Sequence, residues 1–203
     1  MFDPSVYLNR RAKLQQNISS GLGLFLGNPD SPRNYLDNIY PFRQDSNFLY
    51  FFGHNLPNVA AIMDFDSGDT IFFGKPVSMT DIIWMGSLPG LDELAHQSGI
   101  YATRPIDSLS NFLAEARQKG RDIHYLPPYR MENIVLLSDM LDIPVSAIRQ
   151  KASETLTRAV ISIMSIKEDL EIEEISRAIN ISGEMHVAAM RHTQQGMKES
   201  DIV

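Results

Sequence analysis

The chain has 203 residues, 43% of them hydrophobic, no cysteine and a formal net charge of −7. That is enough apolar material for one globular domain and an appendage. It excludes disulfides, thiolate nucleophiles and zinc–thiolate sites, and it lacks the Lys/Arg surplus on which general nucleic-acid binding depends. No apolar run has the length that crosses a bilayer, and Met1-Phe2-Asp3-Pro4 has neither the basic n-region nor the apolar h-region of a secretory signal. A cytoplasmic protein without nucleic-acid or membrane partners is expected.

In chain order, Asp3-Pro4 is a helix start, with an N-cap acceptor followed by proline at the first helical position. Tyr7, Leu14 and Ile18 share one face of that helix, Gly21 offers its stop, and Arg10, Arg11 and Lys13 read as its solvated face. Residues 23–27 form a short buried strand, followed by a turn-rich loop at 28–34. Phe48–Phe52, Val59–Phe65 and Thr70–Phe73 read as strands, the last two joined in a hairpin by Asp66-Ser67-Gly68-Asp69. A short helix over 92–98 ends at Gly99, and Leu109, Phe112, Leu113 and Ala116 mark an amphipathic helix stopped at Gly120. Ile123–Leu126 is a further strand, Ile134, Leu137 and Leu141 mark a helix, and Ile143–Val145 is a short extended piece.

A helix over 151–164 merges into Ser165-Ile166-Lys167-Glu168, which has the capping-box form. A long helix follows, with a drifting apolar stripe at Leu170, Ile175, Ile179, Met185 and Ala189 and acidic residues crowding its first turns, as the helix dipole favours. The expected class is α/β, a mixed sheet flanked by helices over 1–150, then a linker helix over 151–165 and a helical fragment over 166–203. A single striped helix must bury its stripe against something, so the last segment reads as the start of a further domain.

The chemistry-bearing residues are sparse. There is no serine nucleophile elbow, no phosphate-binding glycine loop and no His-Glu-x-x-His pair. His186 and His192, six positions apart, fall on different faces of a helix, and His124 in an apolar strand reads as a structural histidine. Arg43 with Asp45 forms either a charge-paired turn that pins the next strand or a functional pair. Phe48, Tyr50, Phe51 and Phe52 read as core aromatics. Trp84, the only tryptophan, lies between apolar neighbours and ahead of Gly86, so it reads either as core or as a ligand- or interface-contacting ring.

Four stretches resemble the Xaa-Pro aminopeptidases of the creatinase/prolidase ("pita-bread") superfamily, specifically their amino-terminal domain. They are Arg33-Asn34 with Tyr40–Gly53, Asp81–Gly86 around Trp84, Ser165-Ile166-Lys167 with the acidic helix after it, and Gln195–Glu199. Asn47, Met164 and Gln195 depart from the family's usual Asp, Arg and Pro. The resemblance implies a parent enzyme that removes the amino-terminal residue from peptides with proline second. It would use two divalent ions, usually manganese, whose ligands would all lie beyond Val203; catalytic and metal-binding residues are expected to be absent here, and the chain alone inactive. The resemblance also implies a homodimer or higher homo-oligomer and gives Trp84 a place as a substrate-binding residue, reaching a neighbouring subunit's pocket. A non-catalytic peptide- or protein-binding module, or the same domain of a prolidase or creatinase, are the alternatives.

Overall fold

The computed structural model describes residues 1–202, and its contacts divide the chain into two compact units that part between Ile163 and Met164. In the first unit, β1 (Leu22–Leu26), β2 (Ala60–Asp64), β3 (Thr70–Gly74), β4 (Ala102–Pro105) and β5 (Ile123–Tyr125) form one mixed sheet in the order β4-β3-β2-β1-β5. β2 runs antiparallel to both neighbours, whereas β1–β5 and β3–β4 are parallel pairs. Four strands therefore run one way, and their carboxyl ends share one edge of the sheet. That edge receives the segments 27–45, 75–90 and 126–130, the kind of place where open α/β sheets gather binding residues.

Helices cover both faces. Successive strand residues point to opposite sides, so Leu22 and Leu24 of β1 meet α5 (Leu109–Gln118) and α6 (Met131–Leu141) through Leu109, Leu113, Ile134 and Leu137. Phe25 points the other way, toward α1 (Pro4–Gln15) and α2 (Ser46–Phe52), and its ring lies 5.5 and 5.3 Å from those of Phe51 and Phe52. Phe48 joins this aromatic layer 4.9 Å from Phe52 and 6.3 Å from Phe72. Full burial of each such ring contributes about 1.5–3 kcal/mol, which makes this layer a major source of cohesion.

Several sequence expectations change. Phe48–Phe52 is not a strand; it lies in α2. Asp45 Oδ1 accepts hydrogen bonds from the backbone N–H groups of Asn47 and Phe48 at 2.9 and 3.0 Å, and Gly53 ends the helix in the left-handed region at φ 74°. Phe48, Phe51 and Phe52 stand at i, i+3 and i+4, a helical spacing that the β-propensity of aromatic residues masked.

Arg10 and Arg11 are not solvated: both are buried on α1, where they cap the end of α2. Arg10 Nη1 donates to Tyr50 O at 3.0 Å with its guanidinium 3.9 Å from the Tyr50 ring centre. Arg11 donates to Phe51 O at 2.9 Å and to Ser98 O at 2.7 Å. Cations at a helix carboxyl end satisfy orphan carbonyls and the dipole together.

β4 was not anticipated, because Ala102-Thr103-Arg104-Pro105 is a largely exposed edge strand with no apolar alternation. Val145 opens a short 3-10 turn over Val145–Ala147 instead of extending. α3 (Met79–Met85) and α4 (Leu91–His96) fill the connection from β3 to β4.

α7 (Glu154–Ser165) buries Leu156, Ala159 and Val160. Ser165 is its last residue and not a cap. The capping box belongs to Glu168 and Glu171, which start α8 (Asp169–His192), a 24-residue helix that makes up most of the second unit. A short 3-10 turn over Glu199–Asp201 follows. Among the described residues, no helix is long and apolar enough to cross a membrane.

Candidate functional site

The carboxyl edge of the sheet carries an apolar surface on α3. Ser78 and Asp81 cap this helix reciprocally: Asp81 N donates to Ser78 Oγ at 3.2 Å, and Ser78 N and Oγ donate to Asp81 Oδ2 at 2.9 and 2.7 Å. Lys75 Nζ donates to the other Asp81 oxygen at 3.0 Å. The Ser78 hydroxyl first, then its backbone N–H and the Lys75 ammonium, hold the Asp81 carboxyl down at about 2. At the far end Gly86, at φ 80°, donates to Ile82 O. The helix is thus fixed at both ends, yet none of its residues is buried.

Trp84 is 81% exposed and flanked by Ile83 at 73% and Met85 at 71%. The core reading of Trp84 is therefore overturned, while the contact reading keeps its ring available. One exposed apolar residue is ordinary, but adjacent apolar side chains on a capped helix form a presented patch. The helix over Met79–Met85 and the cap made by Ser78 were not read from the sequence. The Ser78-x-x-Asp81 spacing was the available signal.

The Arg43–Asp45 pair is not formed. Asp45 serves as the α2 N-cap, and the Arg43 guanidinium makes no hydrogen bond or ion pair among the described residues. The backbone around Arg43 is nevertheless held firmly. Asn28 Nδ2 donates to Arg43 O at 2.9 Å, Gln44 Oε1 accepts from Asn28 N at 2.7 Å, and Gln44 Nε2 donates to Leu56 O at 2.7 Å.

The histidines do not converge. His54 is buried beside Ser98 Oγ at 3.2 Å; burial first, and the Arg11 cation second, lower its pKa to about 4. His124 bridges Ser153 Oγ and Ser20 O at 2.9 and 3.1 Å, a structural role. His96 packs its ring 5.2 Å from Tyr101. Among the described residues, no group of three or more His, Cys, Asp or Glu side chains comes together to hold a metal ion. The described residues therefore do not fit a dinuclear centre.

Residues 7–124 match the family described as "Aminopeptidase P, N-terminal domain", including both the aromatic Arg43–Gly53 stretch and the Trp84 helix. The chain belongs to this family. The Xaa-Pro aminopeptidase of Escherichia coli (strain K12) is 25% identical over 204 residues, covering 94% of this chain and 45% of that protein. A probable Xaa-Pro aminopeptidase of Talaromyces stipitatus is 26% identical over 196 residues, covering 95% of this chain and 37% of that protein. The solved structure of E. coli aminopeptidase P in its low-pH form aligns with a TM-score of 0.79 at 22% identity, over 100% of this chain and 48% of that one. The zinc-substituted E. coli enzyme in complex with product gives the same TM-score. These likenesses share the mixed sheet flanked by helices expected from the sequence. The chain spans less than half of the length of these relatives.

Proposed function

We propose that this domain serves an Xaa-Pro aminopeptidase, an enzyme that removes the first residue of a peptide whose second residue is proline. The observation that carries the reading is Trp84, presented on a doubly capped helix at the carboxyl edge of the sheet within a chain of the aminopeptidase P family. In this reading the domain organises a homo-oligomer, and the α3 patch closes one wall of a substrate cleft, with Trp84 packing against the peptide. A large rigid ring provides contact area with little entropy loss and suits the proline-containing end of a substrate. The bond-breaking step belongs to the part of the enzyme outside the matched region, where two divalent ions, manganese as the expected pair, would activate the attacking water. A cytoplasmic setting accords with the lack of cysteine.

The test is the full-length protein assayed on an Xaa-Pro peptide with added manganese, as wild type and as Trp84→Ala. The variant should unfold within about 0.5 kcal/mol of wild type, because the ring is exposed. Its kcat/KM should fall about tenfold or more, the scale of losing one aromatic contact. An unchanged kcat/KM removes Trp84 from the cleft. Absence of Xaa-Pro turnover with any divalent ion removes the enzyme reading and leaves a non-catalytic binding module.

A further inference from the structure

Beside the 28–43 segment, at the same carboxyl edge of the sheet, lies an open pocket of about 220 Å³ whose lining includes Ser31, Tyr40, Phe42, Arg43 and Arg130. Two guanidinium groups line it, and no carboxylate does. That composition is unusual in a chain with a net charge of −7.

The two arginines are in different states. Arg130 is anchored: its Nη1 donates to Pro29 O and to Ser31 Oγ, both at 3.0 Å, leaving further N–H donors of the fork uncommitted. Ser31 Oγ accepts that bond, so its own O–H is free to donate. Arg43 is uncommitted. The acid that adjoins it in sequence, Asp45, is occupied with the amino end of α2, and Arg43 has no side-chain partner among the described residues. Its main chain is nonetheless fixed through Asn28 and Gln44, so the guanidinium is carried on an ordered backbone. Asp30, between the pocket residues Pro29 and Ser31, is not part of the lining.

The walls are built as well. The Arg33 guanidinium lies 4.7 Å from the Tyr40 ring centre, and Tyr40 N donates to Ser31 O at 2.9 Å beside the 32–39 bridge. Two forked cations, a hydroxyl donor and two aromatic walls form a receptor for a planar oxyanion attached to an organic body.

We propose that Arg43 and Arg130 form a carboxylate-binding subsite that takes the carboxylate of a peptide, either its carboxyl terminus or an acidic side chain. The choice of a peptide as the carrier rests on the aminopeptidase reading. The chain has no glycine-rich phosphate loop to favour a phosphate ester.

The experiment titrates the 203-residue chain, followed by amide NMR, with four probes: a short Xaa-Pro peptide acid, the same peptide as its carboxyl-terminal amide, a matched peptide acid without proline, and inorganic phosphate. Arg43→Gln is the primary variant, because its side chain holds nothing else in place; Arg43→Lys retains the charge but not the fork. The peptide acid should shift resonances of residues 29–43 and 130. The amide should bind about tenfold more weakly or worse, and Arg43→Gln should lose about tenfold for the acid with no change for the amide, the scale of one charge-assisted hydrogen-bond pair. Arg43→Lys should fall between.

Equal binding of acid and amide overturns the subsite, as does unchanged affinity in Arg43→Gln, or no binding by any probe. Binding of phosphate in preference to the peptide acid overturns the peptide carboxylate as occupant. Equal binding of the two acids, with and without proline, supports the subsite and shows that it does not read proline. The aminopeptidase reading stands or falls separately, on turnover by the full-length protein.

Discussion

Acid should find the weak point of this fold at His54. Its ring is 2% exposed, packed 4.9 Å from the Phe72 ring and 3.2 Å from Ser98 Oγ, with the Arg11 guanidinium held nearby by Ser98 O and Gly99 O. Desolvation is the larger cause and Arg11 the smaller; together they lower the imidazole from 6.5 to about 4. The folded chain therefore keeps His54 neutral over a range in which the unfolded chain protonates it. The unfolded state binds more protons between those two values, so stability is fully present above the upper one and is lost as pH falls toward the lower. The slope from one group cannot exceed about 1.4 kcal/mol per pH unit, and the accumulated loss at the lower bound is roughly 3 kcal/mol. That is a large share of the stability of an ordinary domain.

Asp64, lowered chiefly by its bond to Arg121, and Asp81 lose their contributions only below the ordinary carboxylate value of 3.8, so the upper window belongs to His54. Urea unfolding should be measured from neutral pH down to about 4.5 for wild type and for His54→Gln, which keeps a polar partner for Ser98 but does not titrate. Wild type should weaken progressively below about 6.5, and the variant should be close to flat until the carboxylates titrate. A flat wild-type profile refutes the argument, and so does an undiminished slope in the variant.

Three substitutions probe other joints of the structure by the same denaturation measurement. Arg11→Met strands the carbonyls of Phe51, Ser98 and Gly99 and should cost about 3–5 kcal/mol; a loss under about 1 kcal/mol would mean that water replaces the guanidinium. Asp45→Ala removes two N-cap hydrogen bonds and should cost about 1–2 kcal/mol, with Asp45→Asn recovering most of it; equal losses would deny the capping role. Gly53→Ala combines a left-handed backbone with a new Cβ driven into the Tyr7 ring, so it should cost more than about 1–3 kcal/mol, and a neutral result would show that the α1–α2 junction yields.

Elements with an unambiguous local code were legible in the sequence. Asp3-Pro4 started α1, with Asp3 accepting from Ser5 N as an N-cap should. The turn at 66–69 joined β2 to β3 with Asp64 accepting from the N–H groups of Asp66 and Ser67. Leu109, Leu113 and Ala116 turned inward as their spacing required. The aromatic stretch after Asp45 was misread because its residue types favour strands while its spacing and its Asp and Gly termini favour a helix, and only the pairing of β1 with β2 left it outside the sheet.

Three further outcomes depended on what the tertiary structure brings together. Arginines on a polar helix read as solvent-facing until a second helix end, 40 residues on, supplies carbonyls for them. Trp84 has apolar neighbours in sequence, yet both ends of its helix are fixed so that those neighbours stay outside. Arg130 lies 99 residues from Ser31, and no spacing rule joins them.

The sequence by itself determined the class of fold and the kinship, because side-chain alternation, caps and turn residues act over a few positions and are written in order along the chain. Which cations are buried, which aromatic ring is left exposed, and which arginines share a pocket were decided by tertiary structure. Desolvation and hydrogen-bond satisfaction depend on what arrives from distant parts of the chain, and that is fixed only when the sheet closes and its carboxyl edge is assembled.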